Sequence, residues 1–348
     1  MTEQEIRNNI ILEKKENIYT FQWHITHKCN LRCKHCYIEE YSVEPTEIEL
    51  LTVLGRIVQF LNERDAKSFI CVTGGEPLAS PAFFQLMNWL EDEPRIYEII
   101  VGTNGTLLNE ENVAMLKGYK KLRAIQISID GTKETHDSIR GDGNFDRALE
   151  GLKLLAKHKI WSSVSFTANK LNYREFIEVA KITEDTGGNV CWTDRVIPLG
   201  DKEKKKDLID NLVLNSEEFN EYIGIIKDAK EKYKFTRAER TLQYLDIEEN
   251  KNLRHICAAG RRGFTITADC ELMPCRRLEE NYGSVLDKPI SQILEEHKED
   301  ILKIHTIPDG CKNCEKVEIC KGGAKCLTCA IFGDYNHPDP NCTFYKEA

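Results

Sequence analysis

The sequence lacks any run of about 18 uninterrupted apolar residues, so it offers no candidate for a membrane-spanning helix. Residues 1–17 are charged throughout and lack the apolar core of a secretory signal. Positive charge is not in excess either: Lys and Arg together number 48 against 57 Asp and Glu, for a net charge of −9. This balance gives no electrostatic basis for binding nucleic acid or an anionic membrane. The prediction is a cytoplasmic protein with no nucleic-acid or membrane partner.

Internal repeats and low-complexity tracts are also absent, but cysteine is abundant, with 14 residues in the chain of 348. In a reducing compartment, dense cysteine favours metal binding or catalysis over disulfides. Three cysteines lie within residues 29–36, two are isolated, and nine fall between residues 257 and 342. We therefore predict a cysteine-rich C-terminal module attached to a cysteine-poor body.

That body, from residue 21 to about residue 198, alternates β-rich runs with helix-patterned stretches. Strands are predicted at 21–26, 69–73, 96–102, 123–130, 161–167 and 190–197, and helices at 46–62, 81–91, 110–116, 145–158 and 173–186. This alternation predicts an α/β fold with a parallel sheet and right-handed crossovers. Six units favour a partial (β/α)6 barrel whose active site lies at the carboxyl ends of the strands. A doubly wound open sheet is the alternative.

Residues 200–254 are highly charged, with helical patterns at 216–234 and 237–250. One interpretation is a solvated helical bridge, and the other is a cover over the barrel mouth that helps to hold substrate. The predicted organisation is an N-terminal segment (1–20), a barrel (21–199), this bridge (200–254) and the cysteine-rich module (255–348).

Cys29, Cys33 and Cys36 lie directly after the first predicted strand. Thiolates favour iron–sulfur clusters, zinc or Cu(I) over hard cations. A four-iron cluster normally takes four cysteines, so three local ligands would leave one iron open to a ligand from solution. Structural zinc, which uses paired cysteines, remains the alternative. His35, inside the loop, is interpreted as a loop side chain and not as a ligand.

This C-x3-C-x2-C loop, followed by Tyr37, resembles the signature of the radical S-adenosylmethionine (SAM) superfamily. The resemblance implies that the open iron binds the amino and carboxylate groups of SAM. It also implies that one electron from the reduced cluster yields a 5′-deoxyadenosyl radical, which abstracts hydrogen from a substrate. The three cysteines would then be both the metal ligands and the catalytic centre.

Four further motifs, each at the end of a predicted strand, resemble the SAM pocket of that superfamily. The resemblance implies that Glu76 faces the amino group of SAM, Asn104 a ribose hydroxyl and Arg140 the carboxylate. Taken singly, these residues are equally explained as a tight turn, a helix cap or a surface charge. The SAM contacts that the resemblance implies are Tyr37, Gly74, Gly75, Glu76, Asn104, Ser128, Asp130 and Arg140.

The C-terminal cysteines resemble the SPASM extension of radical SAM enzymes, which carries two auxiliary [4Fe–4S] clusters and is frequent among peptide-modifying members. The resemblance implies three [4Fe–4S] clusters in all, together with SAM. Its ligands for auxiliary cluster I are Cys257, Cys275 and Cys326, and those for auxiliary cluster II are Cys311, Cys314, Cys320 and Cys342. A zinc ribbon is the alternative for this module.

Two departures from the SPASM pattern leave cluster I open to interpretation. Five residues, where three are usual, separate Cys320 from Cys326, so Cys329 is an alternative ligand. Cys270 stands where the pattern has glycine, either as a fourth ligand or as a bystander in a hairpin at 265–274. In the second case cluster I would keep an open iron able to bind a substrate thiolate.

Outside these motifs, Cys71 and Cys191 are interpreted as buried strand residues. Arg195 ends the sixth predicted strand, either as a basic residue near SAM or as one partner of a structural ion pair.

The resemblance implies a maturase of a ribosomally made peptide that installs a thioether or related crosslink, supplied with electrons by a flavodoxin or a ferredoxin-type donor. The alternatives are a tetrapyrrole-modifying enzyme of haem biosynthesis, a sulfatase-type formylglycine maturase and an electron-transfer protein. About 20 residues precede the first predicted strand. These are expected to be too few for a winged-helix leader-binding domain, so the barrel, residues 200–254 or a separate protein would recognise the peptide.

Overall fold

The computed structural model describes residues 17–238, 257–342 and 344. Its nine-stranded sheet has the order β7-β6-β5-β4-β3-β2-β1-β8-β9. The strands are β1 (Ile18–His24), β2 (Lys67–Thr73), β3 (Ile96–Thr103), β4 (Leu122–Ser128), β5 (Ser162–Ala168), β6 (Val190–Arg195), β7 (Thr236–Ala238), β8 (Gly263–Ile266) and β9 (Leu272–Met273). All neighbours are parallel except β8 and β9. Strands β1 to β6 follow one another in chain order, which confirms the α/β barrel-type sheet over the doubly wound alternative.

The helices of the described part of the chain are α1 (Glu47–Glu63), α2 (Phe83–Asp92), α3 (Glu110–Leu116), α4 (Lys133–Arg140), α5 (Asn144–Lys157), α6 (Phe176–Asp185), α7 (Lys202–Asn211), α8 (Ser216–Lys232), α9 (Ile290–Glu296), α10 (Lys298–Ile304), α11 (Val317–Cys320) and α12 (Lys325–Phe332). The five helices predicted between the strands correspond to α1, α2, α3, α5 and α6, whereas the sequence does not predict α4 or α7. None of these helices combines the length and the apolar character that crossing a bilayer requires.

Local sequence explains how these elements begin and which way they face. Helix α1 starts at a capping box, in which Thr46 and Glu49 satisfy each other's backbone N–H groups. In β2 alternate residues are buried, with Ile70 and Val72 in the apolar core. Cys71 lies between them and faces the opposite side of the sheet, because side chains alternate along a strand. One face of each strand therefore packs under the helices and the other lines the interior of the barrel.

The C-terminal part of the chain extends this sheet, which the sequence does not predict. Strand β8 pairs in parallel with β1, and β9 pairs antiparallel with β8, forming the hairpin expected near residues 265–274. At the other edge, Arg237 and Ala238 belong to β7, so a helix beginning at residue 237 is wrong. The rest of that predicted helix lies outside the described residues, as do residues 1–16. The first strand starts at Ile18, three residues before its predicted start.

Helices α7 and α8 bridge the barrel and the C-terminal module. Phe219 and Tyr222 of α8 are buried in the barrel core, whereas Leu208 of α7 packs with Ala324 and Leu327. The described residues 201–238 line no part of the cavity at the barrel mouth. The interpretations of residues 200–254 as a bridge and as a cover both stay predictions, since residues 239–254 lie outside the described part of the chain.

Candidate active site

A cavity of about 510 Å³ opens at the carboxyl ends of the parallel strands. The cysteine loop after β1 and the inner faces of β1 to β6 form its wall, and Cys275, Arg276 and Arg277 of the C-terminal module complete it. Most of the residues predicted from sequence line this cavity: Cys29, Cys33, Cys36, Tyr37, Gly74, Gly75, Asn104, Ser128 and Arg140. Glu76 and Asp130 lie behind the cavity wall.

The three thiols of the cysteine loop are half-buried, and two of them receive hydrogen bonds from neighbouring groups. The Leu31 N–H donates to Cys29 Sγ at 3.4 Å, and the Arg140 guanidinium donates to Cys33 Sγ at 3.6 Å. Burial raises the pKa of the Cys29 thiol to about 11. Donors aimed at sulfur stabilise thiolate and tune the reduction potential of a cluster, so this donor set suits an iron–sulfur site.

Gly74 and Gly75 bring the end of β2 against the backbone that leads into the cysteine loop. The Gly75 N–H donates to the Thr26 carbonyl at 2.8 Å, and the next N–H donates to the Lys28 carbonyl at 2.8 Å. A Cβ at Gly74 would lie 2.2 Å from the Thr26 oxygen, and one at Gly75 would lie 2.2 Å from the Lys28 oxygen. These glycines are therefore needed to position the chain just before Cys29.

The change Gly75→Ala is expected to lower the free energy of unfolding by roughly 1–3 kcal/mol, because its methyl group overlaps the Lys28 carbonyl. It should also lower iron retention by the cysteine loop. Urea denaturation and iron analysis of anaerobically reconstituted protein measure both effects. The matched control is Gly55→Ala in exposed helix α1, where a Cβ meets nothing within 4 Å and should stabilise the helix by up to about 1 kcal/mol. Wild-type stability and iron content in Gly75→Ala would contradict this account.

The Glu76 carboxylate is fully buried and turned toward the neighbouring strand end. It accepts hydrogen bonds from the Thr103 hydroxyl at 2.7 Å and from the Asn104 N–H at 2.8 Å. Burial raises its pKa to about 7 despite these bonds. The sequence-based expectation that this side chain faces the amino group of SAM stays a prediction, because here the carboxylate joins β2 to β3.

Asn104, at the end of β3, bonds directly to the cysteine loop. Its amide donates to Asn30 Oδ1 at 2.9 Å and points at Cys29 Sγ at 3.9 Å. Its oxygen accepts from the N–H and the hydroxyl of Thr106. The amide orientation is thereby set from both sides at the edge of the cavity.

Asp130, Arg140 and His35 form a buried network beneath the cysteine loop. The Arg140 Nε donates to Asp130 Oδ2 at 2.6 Å, and His35 Nε2 lies 3.6 Å from the same oxygen. Burial alone would raise the pKa of the Asp130 carboxyl, but Arg140 and His35 outweigh burial and hold it below its ordinary value. Burial likewise lowers the pKa of His35 to about 4, so this imidazole is neutral near pH 7. Asp130 therefore orients the guanidinium that contacts Cys33.

Other predicted residues lie on two sides of the cavity. Ser128 of β4 faces Ser165 of β5, with 3.5 Å between their hydroxyl oxygens. The Tyr37 hydroxyl lies 3.3 Å from His24 Nε2. Cys191 is buried, as expected, whereas Cys71 is half-buried and lines the cavity. The interpretation of Cys71 as a core residue is wrong, because the alternation of β2 turns it inward.

Arg195, for which the sequence leaves two roles open, forms a buried ion pair with the C-terminal module. Its Nη atoms donate to the Asp339 carboxylate at 3.0 and 2.8 Å, and to Asn341 Oδ1 at 2.8 Å. Asp339 also accepts from the Ala324 N–H at 2.8 Å. The pair thus connects β6 to the turn that precedes Cys342.

The cysteines of the C-terminal module fall into two groups. Cys257, Cys275, Cys326 and Cys329 pack against one apolar cluster, made of Ala259, Leu278 and Ile304. In the second group, Cys311 and Cys320 each have Cys342 among the groups that act on their pKa, and Cys314 acts on Cys311. Cys270 belongs to neither group, because it is buried, its carbonyl accepts from the Val285 N–H, and no cysteine is among the groups that act on its pKa.

Lys325, which the sequence does not single out, is buried between these two cysteine groups. Its ammonium donates to the Thr306 carbonyl at 2.7 Å. Burial lowers its pKa to about 8, while Cys311, Cys320 and Cys257 act in the opposite direction. No motif in the sequence indicates Lys325. Its burial between the cysteines becomes visible only in the folded chain.

Sheet, cavity and cysteine loop together define an α/β-barrel enzyme whose cavity opens beside three thiols. Residues 23–183 match the family model described as the radical SAM superfamily. Residues 23–183 therefore form a radical SAM domain, and this domain implies SAM and a [4Fe–4S] cluster. The resemblance inferred from the motifs is confirmed.

Two relatives and one solved structure illustrate what the chain is similar to. It is 26% identical over 344 residues to the AdoMet-dependent heme synthase of Methanosarcina barkeri, covering 92% of this chain and 95% of that protein. It is 26% identical over 313 residues to the antilisterial bacteriocin subtilosin biosynthesis protein AlbA of Bacillus subtilis, covering 82% and 63%. The structure of native anSMEcpe with bound AdoMet and Cp18Cys peptide superposes with a TM-score of 0.75, at 20% identity over 93% of this chain and 94% of that one.

Proposed function

We propose that this enzyme generates a 5′-deoxyadenosyl radical at Cys29, Cys33 and Cys36 and uses it to modify a ribosomally made peptide. When bound, the reduced cluster supplies the electron that cleaves SAM into methionine and this radical. The observation that carries the proposal is the cavity itself, into which the cysteine loop and the predicted SAM contacts open together. No three metal-binding side chains of the described residues lie close enough to hold one ion. A cubane, in contrast, binds each thiolate to a different iron atom.

Within the cavity, the chain's own residues hold and orient SAM. Arg140, oriented by Asp130, is proposed to bind the carboxylate of SAM with a charge-assisted hydrogen bond. Asn104 is proposed to bind the ribose, and Ser128 lines the same cavity. Apolar side chains such as Ile38, Ile197 and Leu199 line the same cavity and keep water away from a reactive radical.

Support for a peptide substrate comes from the subtilosin biosynthesis relative and from the peptide-bound structure of similar fold. A tetrapyrrole is the second candidate, since the haem synthase relative aligns over nearly its full length. The experiment is to incubate anaerobically reconstituted protein with SAM and dithionite and to measure 5′-deoxyadenosine. Its formation supports radical generation, and its absence would refute the proposal. Mass changes in a candidate precursor peptide, compared with a porphyrin, then separate the two substrates.

The C-terminal module is proposed to hold two auxiliary [4Fe–4S] clusters. Cys311, Cys314, Cys320 and Cys342 form the ligand set of cluster II. For cluster I, Cys326 and Cys329 lie three residues apart on α12, which places both thiols on one face of the helix. Because Cys257 and Cys275 pack against the same apolar cluster, all four are proposed ligands of cluster I. A cluster with four protein ligands has no open iron for a substrate thiolate. Its proposed role is therefore to accept an electron during the reaction.

We expect Cys329→Ala to remove up to about four iron atoms per protein, since it deletes one ligand of cluster I. Cys270→Ala is the matched control, because Cys270 is buried in the barrel core and should cost packing but no iron. Iron analysis and electron paramagnetic resonance of the reduced proteins provide the measurement. Full iron in Cys329→Ala, together with loss in Cys326→Ala, would indicate three ligands and an open iron.

A further inference from the structure

Four arginine side chains line the cavity, and three of them are neutralised by a carboxylate. Arg140 pairs with Asp130 at 2.6 Å and Arg195 with Asp339 at 2.8 Å. Arg277 pairs with Asp194, which lies at the end of β6. The fourth is Arg276, which follows Cys275 directly.

Arg276 has no carboxylate within ion-pair distance among residues 17–238, 257–342 and 344. Its guanidinium is hydrogen-bonded to Tyr37 and acts electrostatically on Cys71 and His24. None of these three neighbours is a carboxylate. Among the described residues, Arg276 thus lines the cavity without a carboxylate partner.

The two adjacent arginines act on different groups. Arg277 acts on the Cys326 thiol and on Asp194, toward the auxiliary cysteines. Arg276 acts on Tyr37 and Cys71, on the β1–β2 side that carries the cysteine loop. Arg276 therefore lies on the side of the cavity that carries the cysteine loop.

We propose that Arg276 binds a carboxylate of the substrate, which makes the substrate an acid. A half-buried guanidinium without a carboxylate partner is available to a ligand, and its planar donors match a carboxylate in bidentate geometry. The carboxylate is either the C-terminus of a peptide or a propionate arm of a tetrapyrrole. This inference rests on the proposed function, because it assigns the substrate of the same cavity.

Two matched pairs of probes test the inference by binding alone, with reconstituted holoenzyme and SAM but no reductant. One pair is coproporphyrin III and its tetramethyl ester, and the other is a ten-residue cysteine-containing peptide with a free or an amidated C-terminus. In at least one pair, we expect the acid to bind about tenfold or more tightly than its neutral partner. The pair that shows this preference identifies the source of the carboxylate.

Variants then assign the preference to Arg276. The preference for the acid should disappear in Arg276→Gln and survive in part in Arg276→Lys. It should persist in the control Arg147→Gln, which changes an exposed arginine of α5. Equal iron content in all variants shows that they are folded and loaded. The inference is overturned if neither acid is preferred or if the preference persists in Arg276→Gln. A shifted auxiliary-cluster potential in Arg276→Gln with an unchanged acid preference would assign Arg276 to the cluster and equally overturn it.

Failure of this inference is distinguishable from failure of the proposed function. Binding is measured without SAM cleavage, whereas 5′-deoxyadenosine is measured separately with dithionite. If the wild-type enzyme cleaves SAM but shows no preference for either acid, only the inference is refuted. If it prefers an acid but does not cleave SAM, only the radical proposal is refuted.

Discussion

Replacing Cys29, Cys33 and Cys36 together with Ala is expected to abolish reductive cleavage of SAM and to remove about four iron atoms per protein. The three thiols are the cysteines of the loop that opens into the cavity, and Cys29 and Cys33 accept hydrogen bonds from Leu31, Asn104 and Arg140. Without them, neither the electron source nor the attachment point for SAM exists. Anaerobic iron analysis and chromatography of 5′-deoxyadenosine measure both effects in one preparation.

About eight irons should remain in this triple variant if the C-terminal module holds two cubanes of its own. Cys191→Ala is the control, because Cys191 is buried in β6 away from the cavity lining. It should keep full iron and full cleavage despite a modest loss of packing. Any SAM cleavage above background in the triple variant would show that the radical is generated elsewhere.

The change Asp339→Asn is expected to lower the free energy of unfolding by roughly 3–5 kcal/mol. Asp339 and Arg195 are both almost fully buried, so removing the anion leaves a guanidinium without its bidentate partner. The same carboxylate caps the Ala324 N–H at the start of α12 and precedes Cys342. Anaerobic urea denaturation measures the loss, and lower iron in the module should accompany it.

An exposed ion pair provides the comparison for this prediction. Arg174 and Glu221 are 65% and 44% exposed, and Arg174→Gln should cost no more than about 1 kcal/mol. The double variant Arg195→Gln with Asp339→Asn should be less destabilised than the sum of the single variants, because neither charge is then left alone. Equal costs for the buried and exposed pairs would show that the Arg195–Asp339 pair does not hold the module to the barrel.

The positions of strands and helices were largely predictable because their signals are local. Alternation along β2 and the capping box at Thr46 act over a few residues and survive into the fold. Parallel strands then bring their carboxyl ends to one edge, so motifs that each follow a strand meet at one cavity. For this reason the cysteine loop, Asn104 and Arg140 were found without coordinates.

Side-chain orientation and long-range pairing were not predictable, because they depend on contacts between distant segments. Glu76 carries a sequence signal for SAM, yet its carboxylate bonds to Thr103 and Asn104. Arg195 and Asp339 are 144 residues apart and bear no pattern that links them. Packing places Cys270 in the apolar core and Cys329 against the apolar cluster that Cys326 also contacts, and this favours Cys329 as the proposed ligand.

By itself, the sequence determined the chemistry at the start of the reaction, because a short loop carries all three thiols at fixed spacing after one strand. Tertiary structure alone decided what surrounds that chemistry. It joined β8 to β1, closed the cavity with Cys275 and Arg276, and left one cavity-lining guanidinium without a carboxylate partner among the described residues. The physical reason is that spacing within a loop is covalent, whereas charge balance inside a cavity is the sum of side chains from distant parts of the chain.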